Sequence, residues 1–227
     1  SCRFNDDDSA YMHKTPGSEG NKKTWTFSCW LKRGNLGSSN IFTAPVDSDN
    51  KSRIYFDSDQ LSWIMEVGGT GGDGILITNR LFRDCTAWYH LVFRFDTTNA
   101  TAGDRMRLYV NGIEETSFAT DTNPDEDYVG FINDDIQHNL GFDGGSAYAE
   151  GYFAEVCLID GSSLAPTSFG EFDEDSPTIW KPKDVSGLTF GTNGFYLDFE
   201  DSSNLGNDAN GGTDLTEVNL AATDQAT

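Results

Sequence analysis

Apolar residues are densest in the segment 151–161, GYFAEVCLIDG. They fall at both odd and even positions, and only Glu155 and Cys157 interrupt them. Successive side chains of an extended strand point to opposite faces, so neither face of this segment can be freely solvated. The Asp160-Gly161 pair supplies a turn signal that ends the run. We therefore predict a strand inside a sandwich, covered on both faces.

Two further segments carry clear patterns. WTFSCWLK at 25–32 alternates strictly between apolar and polar residues, with Trp30 as the exception on the polar face, which predicts a half-buried strand. In RLYVNGIEE, Asn111-Gly112 between two strand-like runs predicts a type I′ hairpin turn. The glycine-rich segment 68–74 is predicted to be a loop. Short apolar runs and turn signals predict other strands at 2–14 (a broken pair), 39–44, 54–56, 61–67, 75–78, 88–96 and 136–142.

About a dozen short strands, with no helix long enough for a βαβ crossover, predict an all-β fold, an antiparallel two-sheet jelly-roll sandwich. We assign 1–183 to the sandwich, with a short helical turn after residue 164 capped by Ser163 or Thr167. Residues 184–227 are polar and rich in Gly and Asn. They are predicted to form a connector that docks one strand, at 194–201, then frays and leads to further sequence.

The charge is strongly negative, since 37 acidic residues against 15 basic ones give a formal net charge of −22. Nucleic-acid binding needs a basic surface, so this class is excluded, and an anionic membrane surface is disfavoured for the same reason. A saline habitat or bound divalent cations would suit such a surface, and a surface that only confers solubility is the alternative. No apolar run reaches the roughly 18 residues of a membrane helix, and no signal peptide is recognisable.

The four cysteines are widely spaced, without a CxxC pair or a Cys/His cluster of zinc spacing. We expect them to be reduced, and disulfides remain the alternative.

The order of four segments, WTFSCWLK, AWYHLVFRFD, RLYVNGIEE and GYFAEVCLIDG, resembles the concanavalin A-like (laminin G-like) jelly-roll family. YMHKTPGSEGNKKTWTFSCWLKR, YFAEVCLIDGSSLAPTSFGEFDED and FGTNGFYLDFEDSSNLGND are similar to a version of that fold in structural proteins of tailed bacteriophages. This resemblance implies a virion-surface component such as a tail-fibre, tailspike or capsid-fibre module. Its partners would be other virion proteins, copies of itself in a homo-oligomer, and a host-surface polysaccharide.

Catalysis is not expected. Glucanases of this fold carry two glutamates with an intervening aspartate on one strand face, whereas the run 171–175, EFDED, has Asp at the third carboxylate position. The run also lies in a Pro-flanked connector, with no apolar neighbour to raise the pKa of a general acid. No G-x-S-x-G elbow is present.

Calcium is the one cofactor that the sequence allows. Asp47, Asp49 and Asn50 supply hard oxygen ligands at close spacing, and Asp143 is a further candidate, although the Gly and terminal Glu of an EF-hand loop are missing. The alternative is that each of these side chains is simply solvated.

Aromatic residues near loops are the candidates for glycan contact: Trp30, Trp63, Tyr128 and Tyr148. Core packing is the alternative for both tryptophans, and Trp25 and Trp88 are assigned to the core. Three hypotheses follow: a non-catalytic virion structural or adhesion module, a free lectin-like carbohydrate-binding module, and a glycoside hydrolase of the same fold.

Overall fold

The computed structural model describes residues 1–69 and 72–226, and its regular structure is mainly β-strand. The predicted loop at 68–74 includes residues 70 and 71, which lie outside the described residues. The first strands are β1 (Cys2–Phe4), β2 (Tyr11–Lys14), β3 (Thr24–Arg33), β4 (Ser39–Pro45), β5 (Lys51–Asp57), β6 (Gln60–Glu66), β7 (Gly74–Leu81), β8 (Tyr89–Asp96) and β9 (Met106–Val110). They are followed by β10 (Ile113–Glu114), β11 (Phe118–Thr122), β12 (His138–Leu140), β13 (Gly151–Asp160), β14 (Gly170–Phe172), β15 (Trp180–Pro182), β16 (Phe195–Leu197) and β17 (Thr216–Val218).

All the strands except β14 and β15, which pair with each other, form two antiparallel sheets, as the sequence predicts. The first sheet has the order β1-β13-β3-β8-β9-β10, with β16 also paired to β13. The second has the order β11-β7-β6-β5-β4-β12-β2-β17. β1 and β2, predicted as one broken pair, lie in different sheets, because β1 pairs with β13 and β2 with β12 and β17. The sandwich itself is confirmed.

An aromatic core fills the space between the two sheets. The ring of Phe27 on β3 stacks on that of Phe42 on β4, with their centroids 4.5 Å apart. Trp25 contacts Trp63 across the same gap at 5.7 Å. Such pairs add to the burial of a large apolar area, and they hold the two sheets in register.

The strand β3 is buried along both faces, so the prediction of a half-buried strand is wrong. Thr26 and Ser28, on the side away from the core, are fully buried. The Thr26 hydroxyl donates to the carbonyl of Ser162 at 2.8 Å, and the Ser28 hydroxyl contacts His90 at 2.9 Å. Small hydroxyl side chains can be buried in this way because each finds a hydrogen-bond partner.

A β-bulge explains the apolar pattern of β13. The pairing register with β3 shifts between Ala154 and Cys157, and Glu155 between them has a φ of +48°. Because of the extra residue, odd-numbered side chains face inwards before the bulge and outwards after it. Phe153 before the bulge therefore faces the main core, while Cys157 and Ile159 after it pack on the outer face. The prediction of a strand covered on both faces is confirmed.

The segment that follows β13 covers part of the outer face of the first sheet. Phe169, Val185 and Phe190 pack there in a second cluster with residues of β8, β9 and β13. A 3-10 turn at Pro166–Ser168 matches the predicted helical turn, but its N-cap is Ala165 and no side chain caps it. Ser163 and Thr167 are therefore not caps. The hairpin β14–β15 extends this outer layer.

The tail contributes two strands rather than the one predicted. β16 pairs with β13, and β17 adds to the edge of the second sheet beside β2. Residue Cys2 forms a bridge with Gln225, and the amide of Ala226 donates to the carbonyl of Ser1 at 2.9 Å. The two ends of the described chain are thus adjacent. The division between 183 and 184 stays a prediction.

Three smaller observations complete the description of the fold. All four cysteines, which lie in the described ranges, are free, and three are buried. Among the helices of residues 1–69 and 72–226, none has the length and apolar character of a membrane span. The predicted Asn111-Gly112 turn is confirmed, because both residues have positive φ, at 51° and 78°.

Candidate functional site

A groove of about 340 Å³ opens on the outer face of the first sheet, where β3, β8 and the β9–β10 turn meet the β14–β15 hairpin. Four aromatic side chains line it: Trp30, Trp88, Phe172 and Trp180. Polar groups surround these rings, from Arg80, Asn111, Glu114, Glu115 and Thr178. A cavity of this size, with aromatic walls and a few polar groups, is typical of a small-molecule site.

Several apolar side chains of this aromatic groove are in contact with solvent. The exposed fraction is 36% for Trp88, 46% for Phe172 and 67% for Ile113. The assignment of Trp88 to the core is therefore wrong. β8 begins one residue later, and Tyr89 and Leu91 take the inward positions. Clustered exposed apolar groups mark an interaction surface rather than a folding requirement.

The groove is anchored to the sheet through His90. The indole Nε1–H of Trp180 donates to His90 Nδ1 at 2.9 Å, so the proton of the neutral ring is on Nε2, which lies 2.9 Å from the Ser28 hydroxyl. Burial lowers the pKa of His90 to about 3, which keeps the ring neutral. The ring of Trp30 stacks on His90 at 4.9 Å. These contacts hold two groove tryptophans against one buried imidazole.

Two glycines give the ring of Trp180 its place. A Cβ at Gly112 or at Gly170 would lie 2.6 Å from atoms of that ring. Only a residue without a side chain fits on either side. Phe172 packs edge-on against the same ring, with the centroids 4.9 Å apart. Trp180 is therefore a rigid wall of the groove.

The polar groups of the groove are also held in place. Asn111 Oδ1 accepts the backbone N–H of His90 at 2.8 Å. Both carboxylate oxygens of Glu114 accept hydrogen bonds from Arg107, at 3.1 and 3.0 Å. The indole N–H of Trp30 is buried and has no partner among the described residues. The arrangement can bind a ligand with flat apolar faces and hydrogen-bonding edges.

The structure does not bring the four predicted glycan residues together. Trp30 lies in the aromatic groove, but Trp63 is only 1% exposed and packs against Trp25, so its prediction as a contact residue is wrong. Tyr128 is half-buried and donates its hydroxyl to Asp73 at 3.3 Å, and burial raises its pKa. Tyr148 lies near the other sheet and stacks on Phe142.

Sequence reasoning missed Phe172 and Trp180, which build one wall of the groove. Both stand in a segment without periodicity, so no strand was predicted there. The usable signal was chemical: a Trp and an Ile next to each other in a polar, Pro-containing stretch, where apolar residues have no core strand to explain them.

The predicted calcium ligands are engaged with hydrogen-bond donors. Asp47 Oδ1 accepts the backbone N–H of Asp49 at 2.8 Å and the side-chain amide of Asn50 at 2.9 Å, and these bonds lower its pKa. Asp143 Oδ1 accepts two backbone N–H groups, and its Oδ2 lies 3.5 Å from an Arg53 nitrogen. Oxygens already turned towards N–H donors do not converge on a cation. The geometry therefore gives calcium no support at these residues.

Glu19, Asp134 and Asp135 form a separate acidic group, with ligand oxygens within 4.8 Å of one another. The Lys22 ammonium lies 3.2 Å from oxygens of both Glu19 and Asp134. That side chain already provides the positive charge that the carboxylates need.

The acidic run at 171–175 has the electrostatics of a surface turn. Lys181 lies 3.0 Å from Asp173 and 3.8 Å from Glu171. The hydrogen bond from Lys181 lowers the pKa of Asp173. A general acid for glycoside cleavage needs the opposite shift.

Comparison with protein families finds one match. A model described as the concanavalin A-like lectin/glucanases superfamily matches residues 6–163, well over half of the chain. No curated protein matches the sequence.

Several solved structures are similar to this chain at low sequence identity. A protein from Bacteroides ovatus ATCC 8483, to which carbohydrate binding is ascribed, aligns with 95% of this chain at 14% identity and a TM-score of 0.60. The chain spans 57% of the length of that protein. The alignment with the CBM40 domain of a Ruminococcus gnavus sialidase covers 67% of this chain and 93% of that domain, at 15% identity and a TM-score of 0.48. The alignment with domains LG4-5 of the mouse laminin α1 chain covers 86% of this chain and 46% of that chain. The sequence identity is 12% and the TM-score is 0.47.

Proposed function

Because the chain belongs to the concanavalin A-like lectin/glucanase superfamily, we propose that it is a non-catalytic, lectin-like module that binds a carbohydrate in the aromatic groove. The observation that carries this proposal is the set of rings along one groove, two of them partly solvent-exposed and two fixed against His90. A sugar ring has apolar C–H faces and hydroxyl edges. Aromatic walls with polar groups around them complement both.

The charge around the groove favours a neutral glycan. Glu114 and Glu115 line the groove, Arg80 is its basic residue, and the whole chain carries a net charge of −22. A polyanionic sugar would approach against this field at low salt. Uncharged hydroxyl groups meet no such repulsion, and they can both donate and accept hydrogen bonds.

A glycan array tests the proposal with three proteins: the wild type, Trp88→Ala, and Leu36→Ala as a control with an exposed apolar side chain outside the groove. We expect the wild type and Leu36→Ala to bind the same neutral oligosaccharides. Loss of one stacking ring should weaken binding about tenfold, which corresponds to ~1.4 kcal/mol. An empty array for the wild type, or binding that Trp88→Ala leaves unchanged, contradicts a glycan site in this groove.

The proposed setting is the surface of a tailed-phage particle, where a homo-oligomer of the module would contact other virion proteins and a host polysaccharide. The support is the resemblance of the segments at 11–33, 152–175 and 190–208 to structural proteins of such phages. Mass spectrometry of purified particles would detect the parent chain, and sedimentation equilibrium would give its oligomeric state. Absence of the chain from purified particles argues against this setting and leaves the groove proposal untouched.

A further inference from the structure

A second cavity, of about 490 Å³, lies on the outer face of the second sheet. The residues of β12 show which face this is. Leu140 belongs to the main core and His138 packs against Phe42, so Asn139 between them points away from the core. Arg53 on β5 and Phe142 after β12 also line the cavity. Its volume falls within the roughly 300–1,000 Å³ of ligand pockets.

Asn139 leaves a buried hydrogen-bond donor unused in this polar cavity. Its side chain is fully buried, and its Oδ1 accepts the amide of Gln137 at 2.7 Å. Its Nδ2 has no partner among residues 1–69 and 72–226. Buried amide groups in folded proteins are nearly always paired, so an unpaired one at a cavity indicates a ligand that completes it.

The two basic side chains of the polar cavity are already paired with carboxylates of the protein. Lys51 lies 3.0 Å from Glu66, and Arg53 lies 3.5 Å from Asp143 while donating to Asn40 at 2.8 Å. No unpaired charge is therefore offered to an ionic ligand by these two side chains. A neutral ligand with hydroxyl groups fits what remains.

One wall of the polar cavity is a buttressed aromatic ring. Phe142 stacks on Tyr148 with the ring centroids 4.7 Å apart and the planes at 12°, and Tyr11 contacts Phe142 at the same distance. Tyr148, predicted as a contact residue, thus supports the ring that lines the cavity. The ring of Phe142 gives a flat apolar surface in the same cavity as the Asn139 amide.

We propose that the polar cavity is a second carbohydrate site, which takes a single neutral pyranose unit. Asn139 Nδ2 donates to a ring hydroxyl, and Phe142 packs against the C–H face. The site extends the proposed function and does not depend on it, since it lies on the opposite outer face from the aromatic groove and shares no residue with it.

Nuclear magnetic resonance tests the two sites separately in one titration. The ¹⁵N-labelled protein is titrated with the methyl glycosides of glucose, galactose and mannose, one at a time. We expect a saturable shift of the Asn139 side-chain amide with at least one glycoside. The indole N–H signal of Trp180 reports the aromatic groove independently. If Asn139 responds and Trp180 does not, the second site stands and the groove proposal is weakened.

Failure of the second site has a distinct signature. If no glycoside shifts the Asn139 amide, the proposal is overturned, whatever Trp180 shows. Asn139→Leu, which is close in size and removes the unused donor, should abolish binding in the polar cavity. Val129→Ala, at an exposed position outside the cavity, is the control. Retained binding in the Leu variant also overturns the proposal, and if that variant does not fold the wild-type titration decides.

Discussion

His90 links the interior of the first sheet to its outer surface. Its side chain is fully buried, its Nδ1 accepts a hydrogen bond from the indole N–H of Trp180, and its Nε2 faces Ser28. A charged imidazolium carries a proton on both nitrogens and is a donor at both, so Nδ1 could no longer accept the hydrogen bond from Trp180. The position of one groove wall therefore depends on the neutral state of this ring.

His90 and His138 should stay neutral at pH values well below the ordinary pKa of histidine. Burial lowers the pKa of His90 from 6.5 to about 3 and that of His138 to about 4. Because the unfolded chain takes up these protons first, the free energy of unfolding is highest above pH 6.5 and falls as the pH drops towards these values. NMR titration of the ring protons should show no midpoint between pH 7 and 5 for either residue. Midpoints near 6.5 would contradict the buried network.

The environment of a single residue is predicted best where the alternating strand pattern continues on both sides of it in the sequence. Phe27, inside the alternating run 25–32, is in the core as expected. Trp88 lies at the end of a run, one residue before β8 begins, and a pattern does not say where a strand starts. Trp63 is predicted as a residue near a loop, but it lies near the centre of β6, and its side chain packs against Trp25 and Phe93 of the opposite sheet.

At the scale of elements, the β14–β15 hairpin is a short strand pair held mainly by one ring. Three residues pair on each side, and Trp180 fills the space between Gly112 and Gly170. A two-stranded ribbon alone is only marginally stable in water. Its position over the groove must come from packing against the first sheet.

Gly170→Ala should disturb this hairpin and spare the core. The new Cβ would lie 2.6 Å from the Trp180 ring, while Gly170 itself does not have a positive φ. We expect weaker glycan binding and a small loss of stability, on the order of 1–3 kcal/mol for overpacking. Gly187→Ala, in the same outer segment with nothing within 4 Å, is the matched control. Equal binding by both variants, measured by titration calorimetry, would show that Trp180 does not shape the site.

Elements were predictable in proportion to their length and to the chemistry of their turns. β13 and the Asn111-Gly112 hairpin carry strong local signals, and both are confirmed. β14, β15 and β17 have three residues each, too few to show a period of two. Their partners were also unpredictable, because β17 pairs with β2 about 200 residues earlier in the chain.

For the whole molecule, the tail is part of the core. Phe195, Leu197 and Phe199 are buried in the main cluster together with Leu205 and Leu215. Removing a single large apolar side chain costs roughly 2–5 kcal/mol. Several such losses exceed the 5–15 kcal/mol by which a typical domain is stable.

A chain ending at residue 193 should therefore not fold. Circular dichroism and thermal melting should show no cooperative transition, since β16, with two core residues, and the three core residues after it are missing. A chain ending at residue 221 keeps β16 and β17 and serves as the control, with a cooperative melt expected. Cooperative melting of the shorter chain would show that 1–183 forms an independent sandwich.

The net charge of −22 should make stability depend on salt. Repulsion among carboxylates is screened as the Debye length falls to ~3 Å at about 1 M salt. The melting temperature should therefore rise with sodium chloride. The same rise in tetramethylammonium chloride would identify screening rather than cation binding, and an unchanged or falling melting temperature in both salts would contradict the repulsion.

The adjacent ends of the chain make the sandwich suited to circular permutation. Cys2 bridges Gln225, so the two ends are separated by little more than the ~4.8 Å between neighbouring strands. A short linker could join them, and new ends could be opened in an exposed loop. For the same reason the whole domain could be inserted into a surface loop of another protein as a cassette. The host loop would hardly have to open, and both outer faces with their cavities would remain accessible.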